Sequence, residues 1–181
     1  MLFKEKTILL KNGKEAILRS PVVQDAEAIL EALKLCASET EFIIRCPEEC
    51  TETVEKEMAF LERINTSPSN VMICCWVDGE AAGNCQLHFS PRMKVRHRGS
   101  IAIGIRQKYW GLGIGTAMFR EMIDIAKQWG LSQLELEFIE GNERGRRLYE
   151  KMGFHVYGER PDGVRLRDGS MRKEYMMMRK L

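Results

Sequence analysis

The residues best placed to do chemistry begin at YWGLGIGT, positions 109 to 116. Gly111, Gly113 and Gly115 alternate there between the apolar run IAIGI and the stretch AMFREMIDIAKQWG. Glycine at that density weakens any strand or helix, so the backbone must meet a special demand. Three readings compete. A tight turn packing a strand on a helix accounts for one or two of the glycines. A dinucleotide loop needs GxGxxG and this run is GxGxG, although Glu135 and Glu137 stand about twenty residues on, where a ribose-binding acid would sit. A phosphate loop of the GK-Ser/Thr type is absent. The third reading is a pyrophosphate cradle. The backbone N–H groups of Gly111, Leu112, Gly113, Ile114, Gly115 and Thr116 would converge at a helix N-terminus whose dipole adds positive potential. Thr116 would add a hydroxyl donor or simply begin the helix.

A second cluster follows in NERGRRLYEKMGF, from 142. Asn142, Gly145 and Tyr149 are spaced by three and four and share one helix face. A small residue at 145 leaves room for a ligand chain, with Tyr149 pointing at whatever passes. Tyr149 also reads as a core tyrosine, and Asn142 as an ordinary N-cap. In LELEFI, Glu135 and Glu137 project to one face and Leu134, Leu136 and Phe138 to the other, the pattern of a solvated strand face as much as of a site. Cys46 and Cys50 have no second pair or nearby His to complete a four-ligand centre, so no metal is expected. Cys74 and Cys75 read as buried small hydrophobes. Glu39, Glu41, Arg45, Glu48 and Glu49 in ASETEFIIRCPEEC could hold a charged ligand, or line a solvated loop. Arg92, Lys94, Arg96, His97 and Arg98 form a basic cluster without the interleaved aromatics that stack nucleic-acid bases.

The elements that must position these groups follow from periodicity. ILLKNGKEAILR is a hairpin turning at Asn12-Gly13, and a helix follows from about Gln24 to Ala37. Thr51 or Thr53 caps a second helix that ends near Ile64. VMICCWV and AAGNCQLHF form a hairpin about Asp78-Gly79, with Gly83 marking a bulge or a close backbone approach. Then come the strand SIAIGIR, a helix to Trp129, the strand LELEFI, a helix from Asn142 to Met152 and the strand FHVYGER. Beyond Gly163 a turn-rich stretch leads to a last strand, KEYMMMRK. The order is ββααββ, then β-α-β-α-β-β. It predicts one α+β domain over residues 1–181, a mixed and mostly antiparallel sheet with a central parallel, right-handed βαβ crossover.

The chain has 181 residues and a formal net charge of +2, which suits one sizeable core and gives no bulk electrostatic argument for nucleic acid. MLFKEKTILLKNGK holds no apolar stretch of signal length, so cytoplasmic residence without a membrane partner is expected.

The glycine run and the later helix, taken in order, resemble the GNAT superfamily of acyl-CoA-dependent N-acyltransferases. That family's cofactor signature, Gln/Arg-x-x-Gly-x-Gly/Ala, falls on Trp110 to Gly115. Its later signature, an Asn followed seven residues on by the Tyr of an LYEKxGF-like run, matches Asn142 and Tyr149. The likeness covers roughly residues 100 to 155, and the element order extends it over nearly the whole chain. It implies a GNAT fold whose splayed parallel strands admit the pantetheine of acetyl-CoA, with Ile103 and Ile105 as backbone partners. It implies transfer of an acetyl group to a primary amine by direct attack in a ternary complex. Tyr149 would be the general acid, Glu137 the base, and Asn142 a contact to pantetheine or to a catalytic water. The acceptor would be a small molecule or a protein N-terminus, entering near the first two helices, and a homodimer is common in the family. One departure stands out: the family's Gln or Arg is Trp110 here, an aromatic opening found in ribosomal-protein and antibiotic acetyltransferases. The other expectations to weigh are a Rossmann-like or methyltransferase nucleotide-cofactor protein and a non-catalytic CoA-binding or interaction module.

Overall fold

The computed structural model describes residues 1–181. Their strands are β1 (Lys6–Leu9), β2 (Glu15–Arg19), β3 (Asn70–Val77), β4 (Glu80–Phe89), β5 (Arg98–Ile105), β6 (Gln133–Ile139), β7 (His155–Arg165) and β8 (Met171–Lys180). The helices are α1 (Ala26–Glu39), α2 (Val54–Thr66), α3 (Ile114–Gln128) and α4 (Glu143–Lys151). All eight strands join one sheet in the order β1-β2-β3-β4-β5-β6-β8-β7. Every neighbouring pair is antiparallel except β5 and β6, the two strands joined by α3. The expected parallel βαβ unit is therefore present at the centre.

β3 shows why the sequence forms this sheet. Its apolar run is buried on both faces, so the side chains divide by the period of two. Val71, Ile73, Cys75 and Val77 enter the larger core with α3 and α4. Met72, Cys74 and Trp76 pack with Ala26, Ile29, Ala32, Leu61 and Ile64 of α1 and α2. Cys74 and Cys75 are fully buried, as small hydrophobes are.

Two boundaries differ from the periodicity. Val23–Asp25 is a turn of 3₁₀ helix and α1 proper starts at Ala26, because the Asp25 carboxylate accepts from the Val22 N–H at 2.7 Å and from both terminal nitrogens of Arg19. The stretch past Gly163 stays in β7, and the turn comes at Leu166–Ser170. β7 is an edge strand with a register shift between Arg160 and Val164, and an edge bulge is where a strand tolerates Pro161.

The feature that makes a site is where pairing stops. β5 and β6 share only the partners Arg98–Gln133, Gly99–Leu134 and Ser100–Glu135. Beyond them β5 stays paired to β4 as far as Ile105, and β6 to β8 as far as Ile139, so the two strands diverge. On the β4 side a bulge shifts the register between Cys75 and Trp76, next to Gly83. Gly83 has φ of +156°, and a Cβ there would land on the Gly104 carbonyl oxygen and 2.7 Å from the Ile105 Cα. Both sequence readings of Gly83, a bulge and a close approach, hold. A bulge bends its strand, and this one lies where the end of β5, still paired to β4, has parted from β6.

Gly83→Ala should thus cost roughly 1–3 kcal/mol from strain at this backbone conformation. A melting midpoint lowered by roughly 3–10 °C would agree; an unchanged midpoint would show that the β4–β5 approach is not under constraint.

Candidate active site

The divergence of β5 and β6 opens a cleft of about 950 Å³. Of the residues singled out by sequence, Ile103, Ile105, Trp110, Gly111, Gly113, Ile114, Gly115, Thr116, Glu137, Asn142 and Tyr149 line it. Leu112 does not: its side chain packs on the core and its carbonyl accepts from the Lys11 N–H at 3.0 Å. Only its N–H belongs to the loop.

At the mouth of the cleft, none of the N–H groups from Gly111 to Thr116 has a protein acceptor; the first to find one is Ala117, on the Gly113 carbonyl. Gly111 and Gly113 have φ of +80° and +99°, the left-handed region where side chains are strained, and they turn this row of donors. Gly115 does something else. A Cβ on it would meet the Leu148 side chain at 2.8 Å, so it lets α3 and α4 pack closely. Two of the three glycines therefore turn a loop of unpartnered donors, and the third fits the tight-packing reading.

Trp110 and Arg144 explain the break in the glycine signature. The Trp110 indole donates to the Ile105 carbonyl at 2.6 Å, tying the loop to the end of β5. The Arg144 guanidinium lies 5.2 Å from the centre of its ring and lines the cleft. Lys11, Arg147 and Lys151 bring further cations to the same cleft. Sequence reasoning missed all four. Lys11 comes from a distant hairpin and carries no local signal, whereas Arg144, two residues after Asn142, was readable. The Ile105 carbonyl is already bonded, which removes one of the backbone acceptors expected there. Because the Arg106 N–H turns to Ala82 on β4, alternation along the strand turns Ile103 and Ile105 toward the gap.

Deeper in, Tyr149 is 8% exposed and packs against Phe119 and Phe138. It is both a core tyrosine and a cleft residue, since its hydroxyl bonds no protein group and is not among the buried unpaired atoms. Burial raises its pKa to about 12, so it stays protonated through neutral pH. The Asn142 Oδ1 accepts from the Gly145 N–H at 2.9 Å, so Asn142 is the N-cap of α4. A Cβ on Gly145 would lie 2.7–2.8 Å from the Asn142 amide. The small residue at 145 makes room for that cap rather than for a ligand chain.

On the face that carries α1 and α2, most of the charges proposed for ligand binding are engaged. Glu39 accepts from the Gln107 N–H, Arg45 pairs with Glu52, Glu48 with Arg167, and Glu49 caps Cys46. Only Glu41 lacks such a partner. Glu135 is held by Arg98 and Gln133. His97, from the basic cluster, offers its carbonyl to Ser132 and Gln133, so that segment staples the start of β5 to β6. Glu137 is half-exposed and faces Arg160 at 3.9 Å. A further acid, Glu174 on β8, lines the cleft with its side chain only 12% exposed. It was missed because KEYMMMRK reads as an ordinary closing strand.

The family model described as Acetyltransferase (GNAT) family matches residues 32–154. The L-amino acid N-acetyltransferase AaaT of Escherichia coli is 25% identical over 119 residues, 65% of this chain and 73% of that protein. A GNAT-family acetyltransferase structure from Streptococcus pneumoniae superposes with a TM-score of 0.86 at 26% identity, covering 92% of this chain and 99% of that one. The phosphinothricin acetyltransferase of Sinorhizobium meliloti, solved in complex with acetyl-CoA, has a TM-score of 0.79, covering 92% and 88% of the two chains; at 18% identity the likeness is one of fold.

At pH 10.5 an ordinary tyrosine is mostly ionised and Tyr149 should not be. The ultraviolet difference between the unsubstituted protein and Tyr149→Phe at that pH should contain no tyrosinate band; its presence would place the hydroxyl in bulk-like solvent.

Proposed function

The chain belongs to the acetyltransferase (GNAT) family, and from that premise we infer that it is an acetyl-CoA-dependent N-acetyltransferase working as one domain over residues 1–181. The observation that carries this reading is the row of unpartnered N–H groups from Gly111 to Thr116, opening on the same cleft as the Tyr149 hydroxyl. Unpartnered donors at the positive end of α3 fit a diphosphate, and the nearby cations fit its charge. Gly111 to Thr116, with Arg144 and Lys11, would hold the nucleotide end of acetyl-CoA. Ile103 and Ile105 would bond the pantetheine as an added strand. When bound, the donor supplies a thioester whose acetyl group is open to attack by a neutral amine.

The protein's part is positioning and proton transfer. A backbone N–H of β5 polarises the thioester carbonyl, and Tyr149 gives its proton to the departing thiolate. Burial keeps the hydroxyl in its protonated, donor form at neutral pH, and the developing thiolate takes the proton as the C–S bond breaks. Asn142 adds a side-chain amide at the cleft while capping α4.

The acceptor in this proposal is a small primary amine of amino-acid type. The name of the Escherichia coli relative supports it, as does the segment between α1 and α2. There Phe42 lies against Gly141, Ile43 near Gly104, and Glu48 is paired with Arg167 of the β7–β8 turn. That roof narrows the acceptor face and leaves less room for a polypeptide. Six free cysteines suit a reducing compartment, and the proposal places the enzyme in the cytoplasm. A homodimer across the β7 edge, where Val156 and Tyr157 are exposed, belongs to the same reading.

Thiol release from acetyl-CoA, followed across the standard L-amino acids, phosphinothricin and N-terminal peptides, tests the reading. Turnover of free amines well above peptides is expected, and no turnover of any amine would end it. Within that assay, Arg144→Ala should raise KM for acetyl-CoA roughly tenfold or more, the loss of one charge-assisted contact. Tyr149→Phe should instead lower kcat by about 10²–10⁴-fold with donor KM little changed. The reverse assignment of the two effects would refute these roles.

A further inference from the structure

Acyl transfer to an ammonium needs a base on the acceptor side, and we propose that Glu174 accepts that proton, with Glu137 relaying it to solvent and Arg160 positioning both. The proposal rests on the amine acetyltransferase reading above.

The sheet register separates the two proton-handling ends of the cleft. Phe138 stands opposite Tyr175 and stacks on it at 5.2 Å, and Phe138 also packs on Tyr149, so these side chains mark the α4 face. One residue along the strands the side chains point the other way. Glu137 is opposite Met176 and Ile139 opposite Glu174, which puts both glutamates on the α1 face. Both also line the cleft. An amine arriving from the α1 face meets Glu174 and Glu137 first, and the thiolate departs toward Tyr149. The two faces communicate only through the gap between β5 and β6.

Glu174 is built in rather than left in solvent. Its side chain is 12% exposed, against 52% for Glu137. Gly163, in the β7 bulge, backs onto it so closely that a Cβ there would lie 2.9 Å from the Glu174 Cβ. Arg160, its register partner on β7, pairs with Glu174 through one guanidinium nitrogen and reaches Glu137 at 3.9 Å through the other. These are the charged groups that face it: Glu137 from β6 and Arg160 from β7. Burial raises the Glu174 pKa first, and the Glu137 charge raises it further, against the opposing pull of Arg160. Of the other acids near the acceptor face, Glu39 and Glu135 are bonded as described and Glu140 accepts from the Lys173 N–H, while Glu41 does not line the cleft.

The step balances. The acceptor R–NH₃⁺ gives one proton to the Glu174 carboxylate, directly or through water, and Arg160 shifts toward Glu137 as Glu174 becomes neutral. The neutral amine attacks the thioester carbon, the C–N bond forms and the C–S bond breaks. The thiolate takes the Tyr149 proton, and the second amine proton restores Tyr149. Glu174 returns its proton to bulk through the exposed Glu137, so one proton is released per turnover.

The test compares the full-length protein with Glu174→Gln and Glu137→Gln, using acetyl-CoA with the L-amino acids and phosphinothricin as probe amines. Glu174→Gln should lower kcat by about 10²–10⁴-fold, with acetyl-CoA affinity by calorimetry unchanged. Its residual rate should climb about tenfold per pH unit toward the pKa of the amine, because solution then supplies the neutral form. A residue that served only packing would not show that alkaline rescue. Glu137→Gln, which removes the relay, should lower kcat severalfold and move the acidic fall in rate to lower pH, since removing a like charge lowers the Glu174 pKa. Should Glu174→Gln not fold, that displacement in Glu137→Gln decides alone. An acidic fall unmoved in Glu137→Gln, or a Glu174→Gln variant that keeps its rate and pH profile, would overturn the proposal. If the unsubstituted protein acetylates no probe amine, the enzymatic reading has failed. Carbon-13 titration of the Glu174 carboxyl then judges the pair separately, and an ordinary glutamate midpoint would overturn it.

Discussion

The pairing between β5 and β6 ends after Ser100 and Glu135, and the rest of the site depends on that interruption. A strand whose backbone groups lose their partner inside a sheet normally carries a penalty for each unmatched donor and acceptor. Here each strand keeps its outer neighbour, so only the inner edges are open, and they face a cleft rather than a core. The divergence is stabilised from both ends. Arg98, Gln133 and the His97 carbonyl hold the closed end together. Gly83 pressed on Gly104 and Ile105 holds the open end apart.

The glycine-rich loop depends on the same geometry. It starts where β5 ends, and the Trp110 indole fastens it to the last carbonyl of that strand. Once fastened, the first turn of α3 lines the cleft with residues whose N–H groups have no protein acceptor. The aromatic residue at 110 does not leave the loop without a polar side chain. Its ring carries Arg144 from the next helix, so the charge is supplied from a different part of the chain. Cation and ring fix each other, which a lone flexible side chain at 110 would not achieve.

The two faces of the sheet carry different chemistry because the strand period sends alternate residues to opposite sides. Tyr149, Phe119 and Phe138 form a dry wall on one side, and that burial keeps the hydroxyl protonated. Glu137, Glu174 and Arg160 form a charged patch on the other. The loop between α1 and α2 is acidic in sequence, yet nearly all its charges are used in caps and ion pairs that hold it over the cleft. Its role is shape, and the acids that face the cleft come from β6 and β8.

By itself the sequence determined the element order, the parallel crossover, the glycine-rich turn and the Asn142–Tyr149 helix. Each of these is written locally, in periodicity, turn chemistry or a fixed spacing. Tertiary structure alone decided which carbonyl Trp110 occupies, that Arg144 and Lys11 share one cleft, that Gly145 accommodates a cap, and that Glu174 stands beside Glu137. Those facts depend on strand register and on contacts between segments far apart in the chain. No local pattern encodes the partner of a charge, so the sequence could list the acids but not say which of them face the cleft.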